Sequence, residues 1–386
     1  MIPCRRDLFE IPDGVTYLNC AYMSPMMRSV ADEGRIGLER KMHPWKVRPA
    51  DFFSQSEELR GCAARFFLCS PDDVAIVPSA SYGIQMAAAN LPLAPGQKIL
   101  VLEEQFPSNF YAWRRLAEKN GGALLTVPLP EDGDWTASVL RSMTDEVGIA
   151  ALPQVQWTTG GLLDLTRIGA ACRERGIALA LDLTQSLGAY PFDVNAVQPD
   201  FAVAAAYKWL MGPYSMGVTY IAPKWQRGVP LEESWLQRAN ARDFSDLRYT
   251  DAYMTGARRF DMGEHSNFAT MPAAIAALRQ LEAWGVREIS ETVGELNRHL
   301  LRRLEPLGIQ IWPEHLRAPH YLCLRSDRLP ISGMVEKLAA EGIYVSVRGP
   351  SIRITPHVYN SVEEMERAGD RLLELAEKKE ALRSRA

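Results

Sequence analysis

The chain has no excess of positive charge. Its 43 Lys and Arg residues stand against 47 Asp and Glu, a formal net charge of −4. Nucleic-acid binders carry a basic excess or a basic face, so no nucleic-acid partner is expected. The six cysteines, at positions 4, 20, 62, 69, 172 and 323, show no CxxC spacing. The six histidines show no HxxxH or HExxH spacing. That excludes a disulfide scaffold and the common zinc signatures, and no metal is expected. No apolar run reaches the ~20 residues that span a bilayer. Residues Met1 to Asp7 lack the apolar stretch of a secretory leader. These absences predict a reduced, cytoplasmic protein with no membrane partner. No G-x-G-x-x-G follows a strand-like run and no Walker A motif occurs, which argues against dinucleotide and P-loop nucleotide binding.

What is present is an ordinary globular composition: 386 residues, 47% hydrophobic and 23% charged. At roughly 150 residues per domain, that length suggests two or three domains. From about 70 to 222, short apolar runs alternate with longer helical patterns. The runs at 74–77, 99–102, 123–127, 148–155, 177–181 and 201–205 read as strands. Residues 81–91, 108–119, 135–143 and 164–175 read as helices. Continuous apolar runs fit strands buried on both faces of a parallel sheet. The alternation predicts an α/β fold with a mostly parallel, doubly wound sheet. Residues 225–258 look irregular. Helical stretches follow at 271–284 and 288–305. Strand-like runs at 321–325, 342–347 and 352–356 and a helix at 361–378 predict a smaller α+β domain. The expected division is a large domain over 15–258 and a small one from 1–14 and 259–386. The charged tail from Glu377 is expected to fray.

Functional residues of such a sheet belong at the carboxyl ends of its strands. Asp182 ends a run of five apolar residues and is followed by Leu183-Thr184-Gln185. Lys208 lies between Tyr207 and Trp209 after another apolar run. A buried acid and a buried amine are costly alone. Either they pair with each other, or each meets a different end of one cofactor. Desolvation would lower the lysine pKa and free its amine as a nucleophile. Pyridoxal phosphate asks for a lysine, a carboxylate at its ring nitrogen, a donor to its ring oxygen and a phosphate cradle. Pro78-Ser79-Ala80-Ser81-Tyr82-Gly83 offers a helix N-terminus for phosphate, or an ordinary serine cap. Phe106, after the strand at 99–102, is placed to stack on a ring or to staple the next helix.

The segments Asp182-x-x-Gln185 and Tyr207-Lys208-Trp209-Leu210 resemble the core of class V aminotransferases. So do Gly160-Gly161-Leu162-Leu163-Asp164-Leu165 and Ile352-Arg353-Ile354-Thr355-Pro356. These are fold-type-I pyridoxal-phosphate enzymes. The group includes cysteine desulfurases, isopenicillin N epimerase-like proteins and kynureninase. The resemblance implies pyridoxal 5'-phosphate as cofactor, a homodimer and a small amino-acid substrate. It implies Lys208 as the catalytic Schiff-base residue and proton shuttle. Asp182 would hold the pyridine nitrogen, Gln185 the ring oxygen, and Phe106 the ring face. Ala80, Ser81 and Tyr207 would bind the phosphate. Arg353 would take the substrate carboxylate, with Asn19, Cys20 and Trp157 also facing substrate.

The sequence departs from the family in several places. The loop 345–351 has no cysteine, which argues against a persulfide-forming desulfurase. Ala205 replaces a common serine, and Gln156-Trp157 stands where many members have asparagine. The partner-supplied Gly-Thr phosphate contact reads Gly263-Glu264-His265-Ser266-Asn267, so Ser266 and Asn267 are expected to replace it. His265, Arg317, His320 and Arg348 are candidates for a second, acidic substrate group. Amino transfer is the expected reaction, since it needs only Lys208 as proton carrier. A C–S or C–C lyase or an epimerase is the alternative.

Overall fold

The computed structural model describes residues 1–309 and 311–383. Its strands are β1 (Thr16–Tyr17), β2 (Val74–Val77), β3 (Lys98–Leu102), β4 (Ala123–Val127), β5 (Val147–Pro153), β6 (Ala178–Asp182), β7 (Phe201–Ala205), β8 (Gly217–Ile221), β9 (Leu322–Leu324), β10 (Ile343–Tyr344), β11 (Ser346–Arg348) and β12 (Ser351–Ile354).

Among the described residues, the largest sheet has seven strands in the order β2-β8-β7-β6-β5-β3-β4. The run from β7 to β4 is parallel throughout. Only β8 runs against its neighbours, β2 and β7. The expected α/β architecture is therefore present. Every residue of β2, β5, β7 and β8 is buried.

Alternate side chains of a strand leave on opposite faces, and here they feed two cores. Ile76, Leu102, Leu152, Leu181 and Ala202 face the helices Asp51–Phe67, Leu165–Arg175 and Thr270–Trp284. Val77, Val101, Ala151, Ala180 and Val203 face the helices Ala80–Asn90 and Tyr111–Asn120. The helix Ala80–Asn90 lies almost flush on the sheet. A Cβ added at its Gly83 would meet Val203 Cγ2 at 2.6 Å and Thr219 Oγ1 at 2.7 Å.

The second sheet is antiparallel, in the order β11-β12-β9. Leu322, Leu324, Ile352 and Ile354 pack there with Leu300 and Leu372 of the helices Val286–Leu304 and Val362–Arg383. The N-terminal segment is tied to this half. β1 pairs in parallel with β10, Asn19 bridges Thr355, and Arg6 meets Glu364 at 2.8 Å.

Several element boundaries differ from the sequence reading. The helices Arg28–Met42 and Asp51–Phe67 precede the region where strand alternation gives a signal. The helix expected over 108–119 opens as a 3-10 turn at Pro107–Asn109 before Tyr111–Asn120, because Pro107 favours the first position of a turn. The expected strand over 342–347 is split into β10 and β11 at Val345. The tail expected to fray from Glu377 continues as helix to Arg383, and residues 384–386 lie outside the described residues. Residues 225–258 contain 3-10 turns but neither α-helix nor strand.

One buried ion pair braces the back of the large sheet. Arg60 and Asp261 are 1% and 2% exposed at their side chains. Arg60 Nη1 and Nη2 donate to Asp261 at 3.0 and 2.7 Å, and the Ile76 N–H of β2 donates to the same carboxylate at 2.8 Å.

Candidate active site

At the carboxyl ends of the central strands lies a cavity of about 240 Å³. Its wall is assembled from separate turns. The turn after β2 gives Ser79, Ala80 and Ser81. The turn after β3 gives Gln105 and Phe106. β6 and its following turn give Asp182, Thr184 and Gln185, and the turn after β7 gives Tyr207 and Lys208.

Asp182 is the last residue of β6 and 7% exposed. Burial pushes its carboxyl above the ordinary range, opposed by hydrogen bonds from Thr184. Its Oδ1 accepts from the Thr184 N–H at 3.0 Å. Lys208 is 6% exposed. Burial lowers its amine to about 8, partly offset by the Asp182 charge, while Arg353 and Arg348 lower it further. No ion pair within 4.0 Å joins Lys208 to Asp182 among the described residues. The two groups feel each other's charge without closing into a contact pair. The amine instead lies 5.2 Å from the Phe106 ring centre and 5.4 Å from that of Tyr207.

The cradle forms because Ser79 caps the helix Ala80–Asn90, accepting from the Tyr82 N–H at 3.2 Å. The helix begins one residue before its expected start, so Ser81 is inside the first turn. Its hydroxyl lies 2.8 Å from that of Ser79. Two hydroxyls and free N–H groups thus converge at the positive end of a helix. Burial raises the Tyr207 phenol to about 12, leaving it a protonated donor.

Gln185 is held at both ends. Its Nε2 donates to the Ala21 carbonyl at 3.2 Å, and its Oε1 accepts from Trp209 Nε1 at 2.9 Å. The second Nε2 hydrogen remains available on the cavity wall. Phe106 stands edge to face with Trp157, ring centres 5.3 Å apart. Trp157 is fixed by Nε1 donating to the Glu104 carbonyl at 2.6 Å.

Arg353 is 1% exposed, and no acidic side chain pairs with it among the described residues. Its Nε donates to Ser346 Oγ at 2.9 Å and its Nη1 to Tyr321 Oη at 3.0 Å, while Nη2 has no partner. Tyr321 Oη donates in turn to the Trp157 carbonyl at 2.7 Å. Asn19 is also buried, and its Oδ1 has no partner.

Neither Arg353 nor Asn19 lines the cavity itself, and further expected residues also lie away from its wall. Cys20 is fully buried with Ala21, Val155 and Trp209, and its Sγ points 4.0 Å from the Lys208 carbonyl. Burial pushes its thiol up, which suits packing. Ser266 and Asn267 precede the helix Thr270–Trp284, where Asn267 Oδ1 accepts from the N–H groups of Ala269 and Thr270. Of the candidates for a second acidic group, His265 bonds to Ser56 and Arg317 donates to the Trp312 carbonyl. His320 is sealed against the Gln185 carbonyl at 2.8 Å, and burial lowers it to about 4. Arg348 approaches the aromatic rim, 5.8 Å from the Trp157 ring centre.

Sequence reasoning missed Tyr214, Ser215 and Met216, which close the cavity beside Tyr207. Tyr214 and Tyr207 have ring centres 4.6 Å apart. Ser215 adopts φ +62°, a left-handed turn that L-residues seldom take. The Gly212-Pro213 pair was the available signal for that turn.

The sequence model of the class-V aminotransferases matches residues 40–378. The chain belongs to this family. Relatives in it include kynureninase of Bacillus anthracis, 26% identical over 88% of this chain and 81% of the relative. Another is the uncharacterized aminotransferase YcbU of Bacillus subtilis, 25% identical over 91% of each. Similar solved structures include the apo cysteine desulfurase of Thermococcus onnurineus NA1, with TM-score 0.81, 19% identity, and coverage of 98% of this chain and 99% of that one. The cystine C-S lyase C-DES bound to cysteine persulfide has TM-score 0.82, 20% identity, and coverage of 93% and 97%. These structural likenesses speak to the fold. The cofactor of this class-V member is pyridoxal 5'-phosphate, and the site fits it. A carboxylate and a neutralisable amine share one cavity without pairing, a hydroxyl-lined helix end lies at its edge, and a buried guanidinium nitrogen nearby lacks a partner.

Proposed function

We propose that the protein acts at the Cα of an amino acid and transfers its amino group, with Lys208 as cofactor anchor and proton carrier. The observation that supports this best is the unpaired Lys208, whose amine is lowered to about 8 inside the cavity. Pyridoxal phosphate supplies the electron sink that makes bonds at Cα labile. Lys208, being partly neutral near physiological pH, holds and moves the Cα proton. With the cofactor bound, Asp182 would hold the proton of the ring nitrogen. The second Gln185 N–H would donate to the ring oxygen, and Phe106 would cover the ring. Ala80, Ser81 and Tyr207 would hold the phosphate. Arg353 receives the substrate carboxylate through the planar fork that suits a bidentate pair. Asn19 and Trp157 border that carboxylate, and Cys20 supports the wall from behind.

A homodimer belongs to the same reading. Ile36, Leu38, Met42 and Trp45 are exposed along and after one helix, and Leu247 and Tyr249 are exposed in the irregular segment. Ser266 and Asn267 do not line their own cavity, so a partner's phosphate site is their proposed destination. No helix among the described residues is long and apolar enough to cross a membrane. A cytoplasmic location is proposed from the unpaired cysteines.

A second reading is C–C bond cleavage, supported by the kynureninase relatives and by the aromatic wall of Phe106, Trp157 and Tyr214. Incubating the coloured protein with an amino-acid panel separates the two. Amino transfer yields a keto acid and the pyridoxamine spectrum. A lyase releases a side-chain fragment and restores the starting spectrum. A protein that stays colourless after reconstitution with pyridoxal phosphate overturns both.

A further inference from the structure

The hairpin of β11 and β12 carries more positive charge on one face than a simple amino acid requires. Ser346 pairs with Arg353, and Arg348 pairs with Ser351. Residues 346 and 348 share a face, as do 351 and 353. Arg348 and Arg353 are therefore diagonal neighbours on the same face, a spacing of about 7–8 Å. Arg325, just past the neighbouring strand β9, is already engaged, with Nε on Ser351 Oγ at 2.6 Å and Glu104 within 4.0 Å. Arg348 has no such acid. Its Nη1 donates to the Val347 carbonyl at 2.8 Å, and no carboxylate lies within 4.0 Å of it among the described residues. It is half-buried, and its guanidinium carbon lies 5.8 Å from the Trp157 ring centre. Trp157 is itself a wall of the cavity.

Two like charges on one hairpin face repel each other, and partial burial deepens the cost. The α-carboxylate assigned to Arg353 balances one of them. We propose that Arg348 binds a second carboxylate, at the end of the substrate side chain, so that the enzyme selects dicarboxylic amino acids. This rests on the reading of the cavity as an amino-acid site. The Trp157 ring serves as a platform: stacking restrains the guanidinium, and its Nε1 bond to the Glu104 carbonyl restrains the ring. Arg348 thereby sets which side chain is admitted, while Lys208 performs the same proton transfer on any of them.

The test uses the reconstituted, coloured protein and unreactive probes. Succinate and glutarate are titrated against propionate and butyrate, read by calorimetry and by the visible spectrum of the bound cofactor. The dicarboxylates are expected to bind at least tenfold more tightly. Arg348→Gln is expected to remove that preference, weakening dicarboxylates at least tenfold and monocarboxylates less than twofold. Arg348→Lys is expected to restore part of it. The proposal is overturned if the natural protein shows no preference, or if Arg348→Gln weakens both classes equally, which would place Arg348 on the α-carboxylate. An unchanged cofactor spectrum in the variants excludes misfolding as the cause. Failure to take up cofactor at all would overturn the enzyme reading. A coloured protein without the preference overturns only this one.

Discussion

Lys208 and Asp182 share one cavity but form no ion pair, although each is more than nine-tenths buried. Two buried opposite charges normally close on one another, because an unpaired buried charge is costly. Here Asp182 is held by Thr184, and the amine points toward the rings of Phe106 and Tyr207. A cofactor ring held between them would satisfy both.

Replacing the amine tests this directly. Reduction with borohydride after reconstitution is expected to leave a cofactor mass adduct on the peptide containing Lys208. Lys208→Ala should show no adduct and lose activity by on the order of 10²- to 10⁴-fold or more. An adduct on another lysine would refute the assignment.

The pH dependence has a definite sign. A lysine amine reacts only when neutral, and burial lowers Lys208 from its ordinary value to about 8. Cofactor uptake by the apoprotein should therefore accelerate as pH rises through about 8 and level off above it. At pH 6 only roughly 1% of the amine would be neutral. The Asp182 charge raises the amine pKa, so Asp182→Asn should move the midpoint down. Stopped-flow colour development at successive pH values gives both midpoints. A midpoint near 10.5 would mean that the amine is solvated.

Arg353 should act on binding. Arg353→Ala is expected to raise KM for the amino acid by roughly 10²-fold, in line with removing one member of a buried charge pair. Arg353→Lys should recover little, since it lacks the planar fork. Steady-state kinetics that show a fall in kcat with KM unchanged would count against this role.

The Arg60–Asp261 pair makes a prediction about stability rather than chemistry. Asp261→Ala leaves the buried Arg60 guanidinium with only the Val74 carbonyl and the more distant Glu57, and leaves the Ile76 N–H without its acceptor. Removing one partner of such a pair costs about 3–5 kcal/mol. Urea denaturation followed by circular dichroism measures it. A loss below about 1 kcal/mol would show that water compensates.

Much of this was legible in the sequence because buried parallel strands write themselves as uninterrupted apolar runs. The runs at 99–102 and 201–205 fall on β3 and β7 and are buried throughout. Chemistry-bearing residues directly follow such runs, which is why Asp182, Lys208 and Phe106 stood out. The antiparallel strand β8 carried no such cue, for its Gly217-Val218-Thr219-Tyr220 follows an irregular loop. Cys20 shows the opposite limit. A residue beside a pocket in sequence can turn away from it, and only the packing against Val155 and Trp209 decides which. Arg348 and Arg353 are five apart in the chain, and nothing but the hairpin register reveals that they share a face.

The close seat of Gly83 on Val203 and Thr219 makes the helix that bears Ser81 and the strand that leads to Lys208 one rigid piece. The span between phosphate cradle and amine is thus a fixed gauge length, set by the absence of a single methyl group. Gly83→Ala would lift the helix, and Ser81 with it, and lengthen that gauge without changing the identity of any residue of the cavity wall. A molecule of the right chemistry but the wrong length would then fit no better than an unrelated one, so this contact acts as the site's calibration.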